Sequence, residues 1–134
     1  DSVEEISDGD LSAITPVLVE PCKMVLVVRA GPKTTNGKIA AHHATIACYR
    51  ALERRNAKLL RHWERTGQAK IALKGTSENQ LLELEAIAKR LNLCARLVRD
   101  PGLTEVAEDT ATVLGIGPAP VALVNEVTGK LRLL

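Results

Sequence analysis

A lysine opening a helical stretch and a carboxylate following a strand are the two groups in this sequence best suited to chemistry. Lys38 stands in VLVVRAGPKTTNGKIAAHHA, residues 25–44, where an apolar run meets Gly31 and a second glycine, Gly37, precedes the lysine. The unpaired N–H groups at a helix start can bind an anion, and a lysine beside them adds a full positive charge. The competing reading is a solvated first-turn lysine, a placement the helix dipole mildly disfavours. His42, four residues on, shares the face of Lys38. The second stretch is RDPGLTEVAEDTATVLGIGP, residues 99–118. Asp100 ends a strand, where α/β folds commonly place functional side chains. Thr104 follows it, and Thr112 leads into the next strand. A carboxylate near a lysine can orient or deprotonate water, and hydroxyls can position that water or bind phosphate. Asp-Pro-Gly is also strong turn chemistry, so a purely structural Asp100 and Gly102 stand as the alternative.

Several other chemistries are excluded. A nucleotide P-loop has four residues between its glycines and a hydroxyl after its lysine. Here five residues separate Gly31 from Gly37, and Ile39 follows Lys38. Adjacent His42 and His43 point about 100° apart on a helix and cannot chelate one ion together. With Cys48 and His62 they make no zinc spacing. No G-x-S-x-G elbow is present. Gly115 and Gly117 lack the third glycine of a dinucleotide fingerprint and serve close backbone packing instead. Cys22, Cys48 and Cys94 are widely spaced and odd in number, as expected of reduced, partly buried thiols.

The elements that must position these residues follow from the apolar pattern. Residues 23–29 read as a buried strand, and from Gly37 the pattern turns helical. Ala40, Ala44, Ala47, Cys48 and Ala51 share one face, small enough to lie close against a sheet. Asn56 starts a second helix that Gly67 stops. AKIALK is a second strand. Thr76 or Ser77 caps a third helix, and CARLVR and TATVLGIGP are the third and fourth strands. Pro118 is expected to end the last of these and open a short helix, with KLRLL as a closing edge strand. The alternation of helices and strands predicts an α/β fold, a three-layer sandwich with a mixed central sheet of about four strands.

Composition fits one domain of 134 residues with a core of Val, Leu, Ile and Ala, since the chain has one Trp, one Tyr and no Phe. Residues 1–20 hold six acidic and no basic side chains, leaving 18 basic against ten acidic beyond them. Residues 1–21 are therefore expected to be an acidic leader, flexible or loosely packed, and residues 22–134 a basic domain suited to a polyanionic partner. No apolar run approaches the length of a membrane span. The first residue is Asp1, so an upstream targeting segment would be invisible.

In order along the chain, KMVLVVR, GKIAA, HATIACYRALERRN, LLRHWERTGQAKIALK, TVLGIGPAP and VTGKLRLL closely resemble the type 2 peptidyl-tRNA hydrolase family, from about Lys23 to Leu134. The resemblance implies a mixed four-stranded sheet flanked by helices, often seen as a homodimer. It implies hydrolysis of the ester between a nascent peptide and the 3′ end of tRNA, with no metal or organic cofactor. It implies a cytoplasmic place of work, or a mitochondrial one where a targeting segment has been removed. The family's Gly-Lys matches Gly37 and Lys38, its Asp-x-Gly-x-Thr matches Asp100, Gly102 and Thr104, and its threonine before Val-Leu-Gly matches Thr112. Its first-helix histidine best matches His43. These are the positions the family uses for catalysis or tRNA contact.

Three departures remove polar or positive character: Asn36 replaces a loop lysine, Leu103 an arginine and Glu105 a glutamine. Two residues after Ala-Ala are also missing. Lost inside the helix, they turn later side chains by about 200° relative to earlier ones. Lost in the loop, they leave Lys38 elsewhere than the family's lysine. The alternative function is thus a catalytically weakened member that binds RNA or protein.

Overall fold

The computed structural model describes residues 7–29, 34–99 and 111–134. Asp100, Thr104 and the Asp-Pro-Gly turn, with Leu103 and Glu105, lie outside the described residues.

Strand β1 (Cys22–Arg29) supplies the middle of the molecule because its side chains alternate between two apolar layers. Met24, Leu26 and Val28 face one cluster, and Val25 and Val27 face the other. Helix α1 (Thr34–Arg55) follows. Its sheet-facing stripe is Ala40, Ala44, Cys48 and Leu52, all buried at four-residue spacing. The helix starts three residues before Gly37, where the pattern had suggested its first turn. An interior glycine costs only about 1 kcal/mol, so it does not set a boundary by itself. Lys38 is therefore the fifth residue of α1, beyond the four unpaired N–H groups of the helix start.

Asn56 caps α2 (Ala57–Arg65) by accepting the Leu59 N–H at 3.2 Å, and Trp63 Nε1 then donates to the Ala69 carbonyl at 3.0 Å. β2 (Ala69–Gly75) leads to α3 (Glu78–Arg90), which Ser77 caps by accepting the Gln80 N–H at 3.1 Å. β3 (Ala95–Arg99), β4 (Ala111–Pro120) and α4 (Val121–Thr128) complete the order. β4 continues past Pro118 to Pro120. The ladder with β1 shifts register between Lys23 and Val25, so Pro118 falls among unpaired residues, where its missing N–H costs no ladder bond.

The sheet runs β2-β1-β4-β3, with β1 parallel to β2 and β4 antiparallel to both β1 and β3. α1 and α2 cover one face around Met24, Leu60 and Trp63. α3 and α4 cover the other around Leu81, Leu114 and Val124. The predicted three-layer sandwich with a mixed four-stranded sheet is thus observed. The final residues lie antiparallel along the outer edge of β2, with Lys74 N donating to Arg132 O and Leu134 N to Ala72 O.

Part of the acidic leader packs on this framework. Leu11 is buried in the α1–α2 layer, and Asn56 Nδ2 donates to the carbonyls of Leu11 and Ile14, both at 2.9 Å. Asp10 N donates to Asn92 Oδ1 at 2.8 Å.

Candidate functional site

The strand pairings gather four chain ends at one end of the sheet. Arg29 pairs with Gly75, Val28 with Val113, and Arg99 with Ala111. The last residues of β1, β2 and β3 and the first of β4 therefore lie together, and α1 starts from that same end.

The height of Lys38 follows from a contact lower down. Gly115 packs against Ala44. Stepping back six helical residues from Ala44 climbs about 9 Å to Lys38, and stepping back three strand residues from Gly115 climbs about 10 Å to Thr112. Lys38 and Thr112 thus both lie toward the end of the sheet where β1 and β3 finish. Thr112 is half-buried and sits at a β-bulge, since Val98 pairs with Val113 and Arg99 with Ala111. Bulges re-aim a side chain, and they are common beside active sites.

The azimuth around α1 separates the candidates. Eleven residues, three turns, bring Lys38 within about 20° of Tyr49. Tyr49 donates to Glu64 of α2 at 3.0 Å, so Lys38 stands on the flank toward α2. His43 shares its azimuth with Ala47 and Arg50, which border a cleft with Arg96 of β3. His43, rather than Lys38, is therefore on the flank facing the strand that leads to Asp100. Lys38, His42 and His43 are all exposed. The continuous helix from Thr34 to Arg55 fixes this relation. The spacing between Lys38 and Asp100 involves a residue outside those described.

Among the described residues no group of three His, Cys, Asp or Glu side chains could hold a metal ion. The three cysteines are free and buried. Burial, with the charge of Glu20, pushes the Cys22 thiol up to about 11. The neighbouring Cys94 thiol, together with burial, pushes the Cys48 thiol up. Neither is poised as a nucleophile.

What the sequence conceals here is Arg96. It is one basic residue in a strand, yet the fold sets it beside Arg50, Arg54 and Arg55 and opposite Asp8. Its place between Cys94 and Val98, which both face the α1–α2 layer, puts it on the α1 side of the sheet.

Fold and site together define an open α/β protein of three layers whose polar groups collect where the parallel strands end, beside the helix that follows the first strand. The chain belongs to the peptidyl-tRNA hydrolase PTH2 family, whose model matches residues 22–134. It is 52% identical over 113 residues to the probable peptidyl-tRNA hydrolase 2 of Schizosaccharomyces pombe, covering 83% of this chain and 55% of that protein. It is 45% identical to the mitochondrial peptidyl-tRNA hydrolase 2 of Homo sapiens, covering 83% and 63%. To the peptidyl-tRNA hydrolase of Staphylothermus marinus it is 42% identical, covering 84% and 94%. The chain thus spans little more than half to under two thirds of the length of these two eukaryotic relatives. No described helix is long and apolar enough to cross a membrane.

Proposed function

We propose that this chain hydrolyses peptidyl-tRNA, cleaving the ester that joins a peptide to the 3′ end of tRNA. The observation that carries this reading is the family match across residues 22–134, which contains every candidate group. Lys38 binds a tRNA phosphate or stabilises the developing oxyanion. Asp100 orients the attacking water or takes its proton, and Thr104 and Thr112 position water or substrate. His43 contacts RNA or assists proton transfer. No cofactor enters this scheme. The placement of Lys38 and Thr112 toward the same end of the sheet and the bulge at Thr112 support it. A homodimer, working in the cytoplasm or mitochondrion, belongs to the same proposal.

The test is release of labelled peptide from peptidyl-tRNA by wild type, Lys38→Ala, Asp100→Ala and His43→Ala. Asp100→Ala and Lys38→Ala are expected to lower kcat/KM by about 10²–10⁴. Full activity in both removes this site assignment. A second reading, binding without turnover, is favoured by the position of Lys38 on the α2 flank of its helix. Wild-type chain that binds tRNA but releases no peptide would establish it.

A further inference from the structure

We propose that the cleft between the C-terminal half of α1 and edge strand β3 binds RNA phosphodiesters, and that Asp8 of the acidic leader occupies it as a built-in competitor. The cleft measures about 340 Å³ and is lined by Arg50, Arg54, Arg55 and Arg96, with Ala47 and Ala51 as its small-residue floor. Asp8 is the one acidic residue in its lining. Arg50, Arg54 and Arg55 are exposed and make no ion pair among the described residues. Four guanidinium groups against one carboxylate leave a local excess of positive charge, which attracts a polyanion.

Asp8 shows what kind of group fits. Its two oxygens accept from Arg96 Nη1 and Nη2 at 2.8 and 2.9 Å. This paired geometry is the one a guanidinium uses for phosphate. The carboxylate is delivered by a segment anchored independently of the pair. Leu11 is buried and Asn56 holds two leader carbonyls. Gly9 approaches so closely that a Cβ would fall 2.5 Å from both Asn92 Oδ1 and the Lys89 carbonyl.

The cleft lies on the same side of the sheet as the candidate site on α1. Arg96 stands three residues from Arg99 along β3, about 10 Å from the sheet end where Thr112 lies. Arg96 pairs with Gly115, which packs against Ala44, so His43 on the same flank of α1 stands near the level of Arg96. Naming the polyanion as tRNA rests on the function proposed above, whereas the anion chemistry of the cleft does not depend on hydrolysis.

The experiment measures binding of deacylated tRNA to the 134-residue chain as a function of salt, beside peptide release from peptidyl-tRNA. Arg50→Ala/Arg54→Ala is expected to weaken binding about tenfold and to lower the salt slope by roughly 1.5–2, the loss of two phosphate contacts. Arg50→Lys/Arg54→Lys should restore most of the slope. Asp8→Asn should tighten binding about threefold or more by freeing Arg96. An unchanged slope in the double alanine variant, or no tightening in Asp8→Asn, overturns the inference. Arginine-dependent binding to phosphatidylserine vesicles, with tRNA binding unaltered, overturns it in favour of a membrane surface. Peptide release that persists while the arginine variants bind normally sinks this subsite alone. Arginine-dependent tRNA binding without peptide release sinks the hydrolase reading alone.

Discussion

Gly115 lies so close to Ala44 that a Cβ built on it would sit 3.2 Å from the Ala44 Cβ and 3.1 Å from the Cys48 Sγ. The contact sets the height of everything on the helix. A branched side chain at residue 115 must push α1 away. Gly115→Val is expected to lower stability by about 1–3 kcal/mol in urea unfolding. It should also reduce peptide release more than the stability loss explains, because Lys38 and His43 move with the helix.

Asn56 does two separable jobs. Its oxygen caps α2, and its amide nitrogen holds the carbonyls of Leu11 and Ile14. Asp at this position keeps the cap and suits the helix dipole but loses both donors and sets a charge against two carbonyl oxygens. Asn56→Asp should cost about 1–3 kcal/mol. Amide exchange should rise across residues 8–14 while the protection of α2 is retained.

The hydrogen bond from Arg96 holds the Asp8 carboxyl below its ordinary range. A depressed carboxyl contributes stability that is complete above the unfolded-state value and lost as pH falls through the folded one. The pair should therefore be unchanged between about pH 5 and 8 and dissolve only below about pH 4. A carboxyl-carbon NMR titration of Asp8 checks this. A midpoint above the ordinary aspartate value contradicts the assignment. Competition between Asp8 and RNA should likewise be flat across neutral pH.

The cysteines should be silent in the folded chain. Cys22, Cys48 and Cys94 are buried; burial pushes the Cys22 thiol up, and the neighbouring Cys94 together with burial pushes the Cys48 thiol up. A thiol-exchange reagent at pH 8 should label none of them in native buffer and all three in denaturant. Fast labelling of any one in native buffer would show that α1 opens from the sheet.

Much of the framework was legible in the residue pattern because burial imposes a period. The short β-branched apolar run from Met24 to Val28 and the four-residue stripe Ala40, Ala44 and Cys48 announce a strand and a helix. Asn56 and the Thr76-Ser77 pair marked helix starts because such side chains replace missing backbone partners, and the structure chose Ser77. The start of α1 and the end of β4 were not legible from Gly37 and Pro118. A glycine's helix penalty is small, and a proline is harmless where the ladder shifts register.

The sequence by itself determined the layers, the family and the types of group available for chemistry, since these rest on local periodicity and motif spacing. Tertiary structure alone decided which groups face one another. Lys38 and His43 are five residues apart in one helix, yet they stand on different flanks, toward α2 and toward β3. Asp8 and Arg96 are 88 residues apart and share a bidentate pair. Strand order and helix azimuth, which depend on the whole core packing at once, are what bring such groups together or hold them apart.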